Sequence, residues 1–228
     1  MLKLTPILLA VLYAVVMYRF SAWRLGSELD SRSTELADPK LKGLTDRLAR
    51  ALDLERIRVH IYEIEPVNGL AAPDGRIFIT RGFYQQYREG RVSAEEMASV
   101  IAHELGHVAL GHARRRMIDF SGQNALRTAL GMVLSRFLPG AGIYIAGLVA
   151  SLLAARLSRG DEYEADAYAA ALLTKAGIGT DPQKSLFLKL DQLTAARAGA
   201  MPAWFMSHPK AEERIAAIEA NEAKWKVE

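Results

Sequence analysis

Residues 93–116 read SAEEMASVIAHELGHVALGHARRR, and the pentapeptide His103-Glu104-Leu105-Gly106-His107 at their centre decides what the rest of the chain must build. Ser93 followed by Glu96 is a capping box, each side chain satisfying a backbone N–H of the other's residue, so a helix opens here and runs to about Arg116. Residues four apart on a helix differ by about 40° around the axis and one turn along it, so the imidazoles of His103 and His107 leave from one face. Two nitrogens so placed can hold one Zn²⁺, with Glu104 beside them to handle a proton. Val100, Ile101, Leu105 and Val108 supply apolar packing around the pair. His112 lies about 180° around the helix from His103 and cannot join that face.

A catalytic zinc needs a third protein ligand, its fourth position staying open for water. The 228 residues include no Cys, which excludes disulfides, Cys zinc sites, Fe–S clusters and thiol nucleophiles and leaves His and carboxylates as ligands. Downstream, Asp161-Glu162-Tyr163-Glu164-Ala165-Asp166 offers four acids. The stripe Glu162, Ala165, Asp166, Ala169, Leu173 becomes increasingly apolar and should face the core, while Glu164, Tyr168, Ala171 and Lys175 form a solvated face. Two acids turned inward at one place call for a cation. Glu162 is assigned as the ligand. Asp166, one turn on, is assigned as the acceptor that orients a ligand histidine and fixes its tautomer.

The remaining chain frames this site. Half of it is apolar and 24% charged, which excludes a disordered chain. Net charge is only +3, and the one dense basic run, Arg114-Arg115-Arg116, reads as a helix end, so no nucleic-acid partner is expected. Leu41, Leu44, Leu48 and Leu52 have helical spacing, and Ile57 to Ile64 alternates as a strand. Gly69–Ala72 and Arg76–Thr80 form a hairpin around Pro73-Asp74-Gly75. His60, among charged neighbours, is expected to point to solvent. Helices are expected at about 121–136, 142–157, 160–176, 182–196 and 209–224. The fold class is α+β, predominantly helical, with a small sheet beside the HExxH helix.

Leu4 to Tyr18 is uncharged between Lys3 and Arg19, so residues 1–24 read as a membrane anchor, the alternative being a cleaved signal segment. Residues 25–39 read as a polar linker, irregular or loosely helical, and 40–228 as the catalytic domain. The uncharged stretch 137–155 is long enough to span a bilayer. A single span there would put Glu162 about 30 Å of hydrocarbon away from His103 and His107, so 121–157 is expected to form a helical hairpin packed on the domain.

Four motifs in order then resemble a known family: His103-Glu104-Leu105-Gly106-His107, Ser158-Arg159 with Glu162 and Ala165-Asp166, Ser207-His208-Pro209 with Arg214-Ile215, and Asn68-Gly69-Leu70-Ala71-Ala72 leading to Gly75–Gly82. The chain resembles the HtpX/Oma/BepA-type zinc metallopeptidases (metallopeptidase family 48, gluzincin-like), to which the CAAX prenyl protease also belongs. The resemblance covers about residues 40–220. It implies a zincin-like fold, one Zn²⁺ on His103, His107 and Glu162, Glu104 as the catalytic acid–base, and Asp166 as the acid supporting the metal ligands. It also implies that His208 lies near the metal, stabilising an oxyanion or occupying the open coordination position in a resting state. Asn68–Ala72 would be the edge strand on which a polypeptide substrate lies, the alternative being a plain hairpin strand. The implied function is hydrolysis of internal peptide bonds in unfolded or misassembled envelope proteins, with a zinc-bound holdase of little activity as the alternative. The expected place is a bacterial inner membrane with the domain in the periplasm.

Overall fold

The computed structural model describes residues 5–72, 74–112, 136–138, 141–195 and 210–225. The chain divides into two units: Met1–Ser31 with His112–Ser158, and Arg32–Gly111 with Arg159–Glu228. The second holds the sheet and the candidate site.

In the second unit a four-stranded mixed sheet has the order β1 (Ser33–Glu35), β2 (Val59–Tyr62), β4 (Ile77–Thr80), β3 (Gly69–Ala71). β1 and β3 are antiparallel to their neighbours, and β2 and β4 run parallel, Val59 opposite Ile77 and Tyr62 opposite Thr80. The expected hairpin is therefore present as the β3–β4 pair, with β3 on the edge. Val59, Ile61, Ile77 and Ile79 join one buried cluster, as period-2 alternation requires. Phe78 is buried on the opposite face, where His60 stacks on it at 5.2 Å and Arg76 lies over its ring. His60 is thus packed rather than directed freely into solvent. Its partner across the strand pair is the aromatic Phe78, and its Nδ1 is buried.

Helix α2 (Pro39–Ala51) is capped by Asp38, which accepts from the N–H groups of Lys40 and Leu41, and it buries Leu41, Leu44 and Leu48. Helix α3 (Arg81–Arg88) starts on Thr80. Helix α4 (Ala94–Ala109) opens with both halves of the capping box, Glu96 N–H to Ser93 Oγ at 3.1 Å and Ser93 N–H to Glu96 at 2.8 Å. It stops seven residues short of Arg116: Leu110 is its cap, and Gly111 takes a φ of 72° that ends the helical path. Ala94 and every residue from Glu96 to His107 are buried, which makes α4 the central element of this unit. The Glu96 carboxylate also receives Ser185 Oγ at 2.6 Å and Lys189 Nζ at 2.8 Å, tying the start of α4 to helix α6 (Asp181–Ala195).

Where two helices were expected around residues 157–160, one helix, α5, runs Gly142–Lys175, and from Arg159 it belongs to the second unit. Gly160 costs a helix about 1 kcal/mol against Ala, too little to stop one flanked by good helix formers. Helix α7 (Ala211–Trp225) closes the described chain and buries Ala211, Arg214 and Ile218. Fully buried residues such as Leu48, Met97, Ile101, Leu173 and Leu186 fill the space among these helices and the sheet, each worth about 1.5–3 kcal/mol of transfer from water.

In the first unit helix α1 spans Thr5–Ser31 and exposes Leu12, Tyr13, Val15, Val16, Phe20 and Trp23. Among the described residues no helix is long and apolar enough to cross a membrane. The anchor expected at 1–24 is not shown among the described residues: the uncharged stretch ends at Arg19, and α1 continues through Arg24, Glu28 and Asp30. The expected linker 25–39 is also ordered in part. It supplies the end of α1 and then β1, which finds its partner in β2. The first arm of the expected hairpin, 121–136, lies outside the described residues save Arg136.

Candidate active site

The site is built where α4 crosses α5. Gly106 permits that crossing: a Cβ there would lie 3.0 Å from both Cα and O of Ala165. The backbones can therefore approach closely between the two histidines of α4 and the two acids of α5. His103 and His107 present their rings edge to face, centroids 4.7 Å apart, with their Nε2 atoms separated by 3.1 Å. Glu162 reaches both, Oε2 at 3.4 Å from His103 Nε2 and Oε1 at 3.4 Å from His107 Nε2. All three side chains are buried, and one donor atom from each lies within 4.8 Å of the others.

Asp166, 1% exposed, stands behind His103 and accepts a hydrogen bond from Nδ1–H at 2.8 Å. With a cation bound, that bond would keep the ring proton on Nδ1 and leave the Nε2 lone pair to the ion. Burial favours a neutral Asp166, but the Arg214 charge and hydrogen bonds, with His103 added, hold its carboxyl down at about 2. Burial likewise works against a charged His103, yet Asp166 and Glu162 outweigh it and raise its pKa to about 9. A cluster that keeps a buried imidazole protonated above neutrality is short of positive charge. A divalent cation supplies that charge in place of the proton. Two imidazole nitrogens and one carboxylate are also the ligand set of catalytic zinc, so donor chemistry and electrostatics both fit the ion.

Glu104 is buried on the β3 side of the histidine pair. A Cβ built on Gly69 would lie 3.0 Å from its Oε1 and 2.9 Å from Val100 Cγ1, so the carboxylate lies directly beneath the edge strand. Thr80 pins the start of that strand: its Oγ1 accepts from Asn68 N–H and donates to Asn68 C=O, both at 3.0 Å. Thr80 N–H also reaches Asn68 O, and Ala72 N–H reaches Arg76 O. Hydrogen-bonded pairs alternate along an antiparallel ladder, so Gly69 and Ala71 turn their N–H and C=O groups off the sheet edge.

Of the six residues singled out from the sequence, five come together: His103, Glu104, His107, Glu162 and Asp166. His208 lies outside the described residues. Glu164 is exposed, as its stripe predicts, and Tyr163 donates to Glu213 at 3.0 Å. Sequence reasoning gave no role to Arg214, whose side chain grips Asp166 through two bonds of 2.6 Å. The available signal was its position on the buried stripe Ala211, Arg214, Ile218, where an arginine demands an acid.

Comparison with known sequences identifies the family. Residues 35–222 match the sequence profile of Peptidase family M48. The metalloprotease LoiP of Escherichia coli is 30% identical over 193 residues, spanning 82% of this chain and 73% of LoiP. The metalloprotease YcaL of the same organism is 27% identical, spanning 83% of this chain and 71% of YcaL. A protease HtpX homologue of Bordetella avium is 29% identical, spanning 76% and 67%. With a family profile matched along most of its length and an HExxH helix crossed by an acid-bearing one, the chain belongs to peptidase family M48 and is a metallopeptidase, a hydrolase of peptide bonds.

Proposed function

We propose that this chain is a zinc-dependent endopeptidase, with one zinc held by His103, His107 and Glu162, that cuts unfolded or misassembled envelope proteins. The observation that carries this reading is the convergence of the two Nε2 atoms and the Glu162 carboxylate, each within 3.4 Å of another. Zinc, when bound, supplies Lewis acidity, polarising a carbonyl and making a water more acidic. Glu104 would take a proton from the attacking water and pass it to the departing amide nitrogen, a role its place beneath β3 supports. Asp166 holds the His103 ring in the orientation and tautomer that ligation needs. The substrate pairs antiparallel with β3 through the outward N–H and C=O groups of Gly69 and Ala71, which reads main chain rather than side chains and suits unfolded polypeptides. His208 stabilises the developing oxyanion. The exposed apolar residues of α1 support contact with a bilayer surface, with the domain on the periplasmic side of the inner membrane.

The test is Glu104→Gln. It should keep its zinc, measured by elemental analysis, and lose cleavage of an unfolded casein-like substrate. Cleavage at the parental rate would overturn the mechanism. A wild-type chain that holds zinc and binds casein but never cuts it would establish the holdase instead. Glu162→Ala should empty the site and Glu164→Ala should not.

A further inference from the structure

Asp166 is held by a residue from the far end of the chain. Arg214 of α7 is fully buried, and its Nε and Nη2 donate to the two carboxylate oxygens at 2.6 Å each. Its guanidinium lies over the Phe187 ring of α6, 3.9 Å from the centroid, and Nη2 stands 3.4 Å from His103 Nδ1. One side chain therefore touches α4, α5 and α6. An arginine taken wholly out of water is costly, and an ion pair at such depth often stabilises a fold no better than apolar residues of equal volume. Its placement beside a ligand histidine calls for another reason.

We propose that Arg214 is a positioning residue of the metal site, fixing both oxygens of Asp166 so that Oδ1 holds His103 with Nε2 directed at the ion. The fork geometry matters because a carboxylate bound on both oxygens by one planar group cannot rotate, whereas a carboxylate held at one oxygen can. The inference rests on the ligand assignment above. It has a rival with the opposite sign. If Arg214 served only as a charge, it would repel any cation bound nearby, and removing it would tighten zinc binding. If it positions Asp166, removing it loosens zinc binding.

The experiment is zinc affinity, measured on the full chain by competition with a chromophoric chelator, for wild type, Arg214→Met, Arg214→Lys, Asp166→Asn and Asp166→Asn/Arg214→Met. Arg214→Met should weaken binding by about 10–100-fold, the usual effect of losing a partner behind a metal ligand. Arg214→Lys, which keeps the charge without the fork, should recover only part of that loss. In the Asp166→Asn background, Arg214→Met should add less than about threefold, since the path through Asp166 is already cut; a merely structural arginine would add its full loss to any background. Zinc bound to Arg214→Met as tightly as to wild type, or more tightly, overturns the proposal, as do fully additive losses. Should Arg214→Met fail to fold, Arg214→Lys decides: wild-type affinity in the folded protein refutes the fork, and a several-fold loss upholds it. Zinc affinity needs no cleavage, so a chain that holds zinc and never cuts would end the peptidase reading and leave this one standing.

Discussion

Replacing Gly106 with Ala sets two known effects against each other at the helix crossing. In an open helical position the change is favourable by about 1 kcal/mol, because Gly gives up more backbone freedom than Ala. At Gly106 the new methyl would meet Cα and O of Ala165 at 3.0 Å and its Cβ at 3.3 Å, where ordinary contact begins at 3.4 Å. Two of those atoms are backbone, so α5 must retreat by a few tenths of an ångström, and overpacking of this kind costs about 1–3 kcal/mol. The sum is a destabilisation of roughly 0–2 kcal/mol instead of a gain, or a fall in Tm of up to about 8 °C at 2–4 °C per kcal/mol. The retreat also separates Glu162 from His103 and His107, and zinc sites tolerate only about 0.2 Å of error in ligand distance. Zinc affinity should drop about tenfold, or about 1.4 kcal/mol. Gly43→Ala is the matched control: Gly43 lies within α2 with nothing inside 4 Å of its added Cβ, so it should raise Tm and leave zinc binding unchanged. Thermal unfolding with and without zinc, together with chelator competition, reads both effects. If Gly106→Ala gains stability as Gly43→Ala does and binds zinc like wild type, the close crossing does not set the site.

Thr80→Val removes the hydroxyl that pins Asn68 and caps α3 while keeping the side chain's shape. It should cost about 1–3 kcal/mol, speed hydrogen exchange in residues 68–71 and raise KM about tenfold with zinc affinity unchanged; a lower Tm with an unaltered KM would exclude β3 as the substrate strand. In chelator-treated protein the folded pKa of His103, about 9, exceeds the ordinary 6.5, because the two carboxylates outweigh burial. The resulting stabilisation is complete below about pH 6.5 and lost as pH rises through about 9, so metal-free Tm should fall between those values and zinc should abolish the trend. A metal-free Tm that stays level across this range counts against the clustered carboxylates.

Much of the site was legible in one dimension. The capping box at Ser93 and Glu96, the four-residue interval of the histidines and the inward stripe of Glu162 and Asp166 are all consequences of helical periodicity. That periodicity relates residues a few positions apart and needs no knowledge of the fold. The edge position of β3 was anticipated only through family likeness. The parallel pairing of β2 with β4 could not be read at all, since register between strands depends on partners many residues away. His60 looked solvated because its sequence neighbours are charged; its spatial neighbour is Phe78.

Local backbone geometry thus dictated which side chains share a helix face, and with it the chemistry this chain can attempt. Packing dictated what those faces meet: Gly106 against Ala165, Glu104 beneath Gly69, and Arg214 on Asp166 across 48 residues. Dihedral preferences are settled residue by residue, whereas a distance between two helices exists only once the core between them has closed.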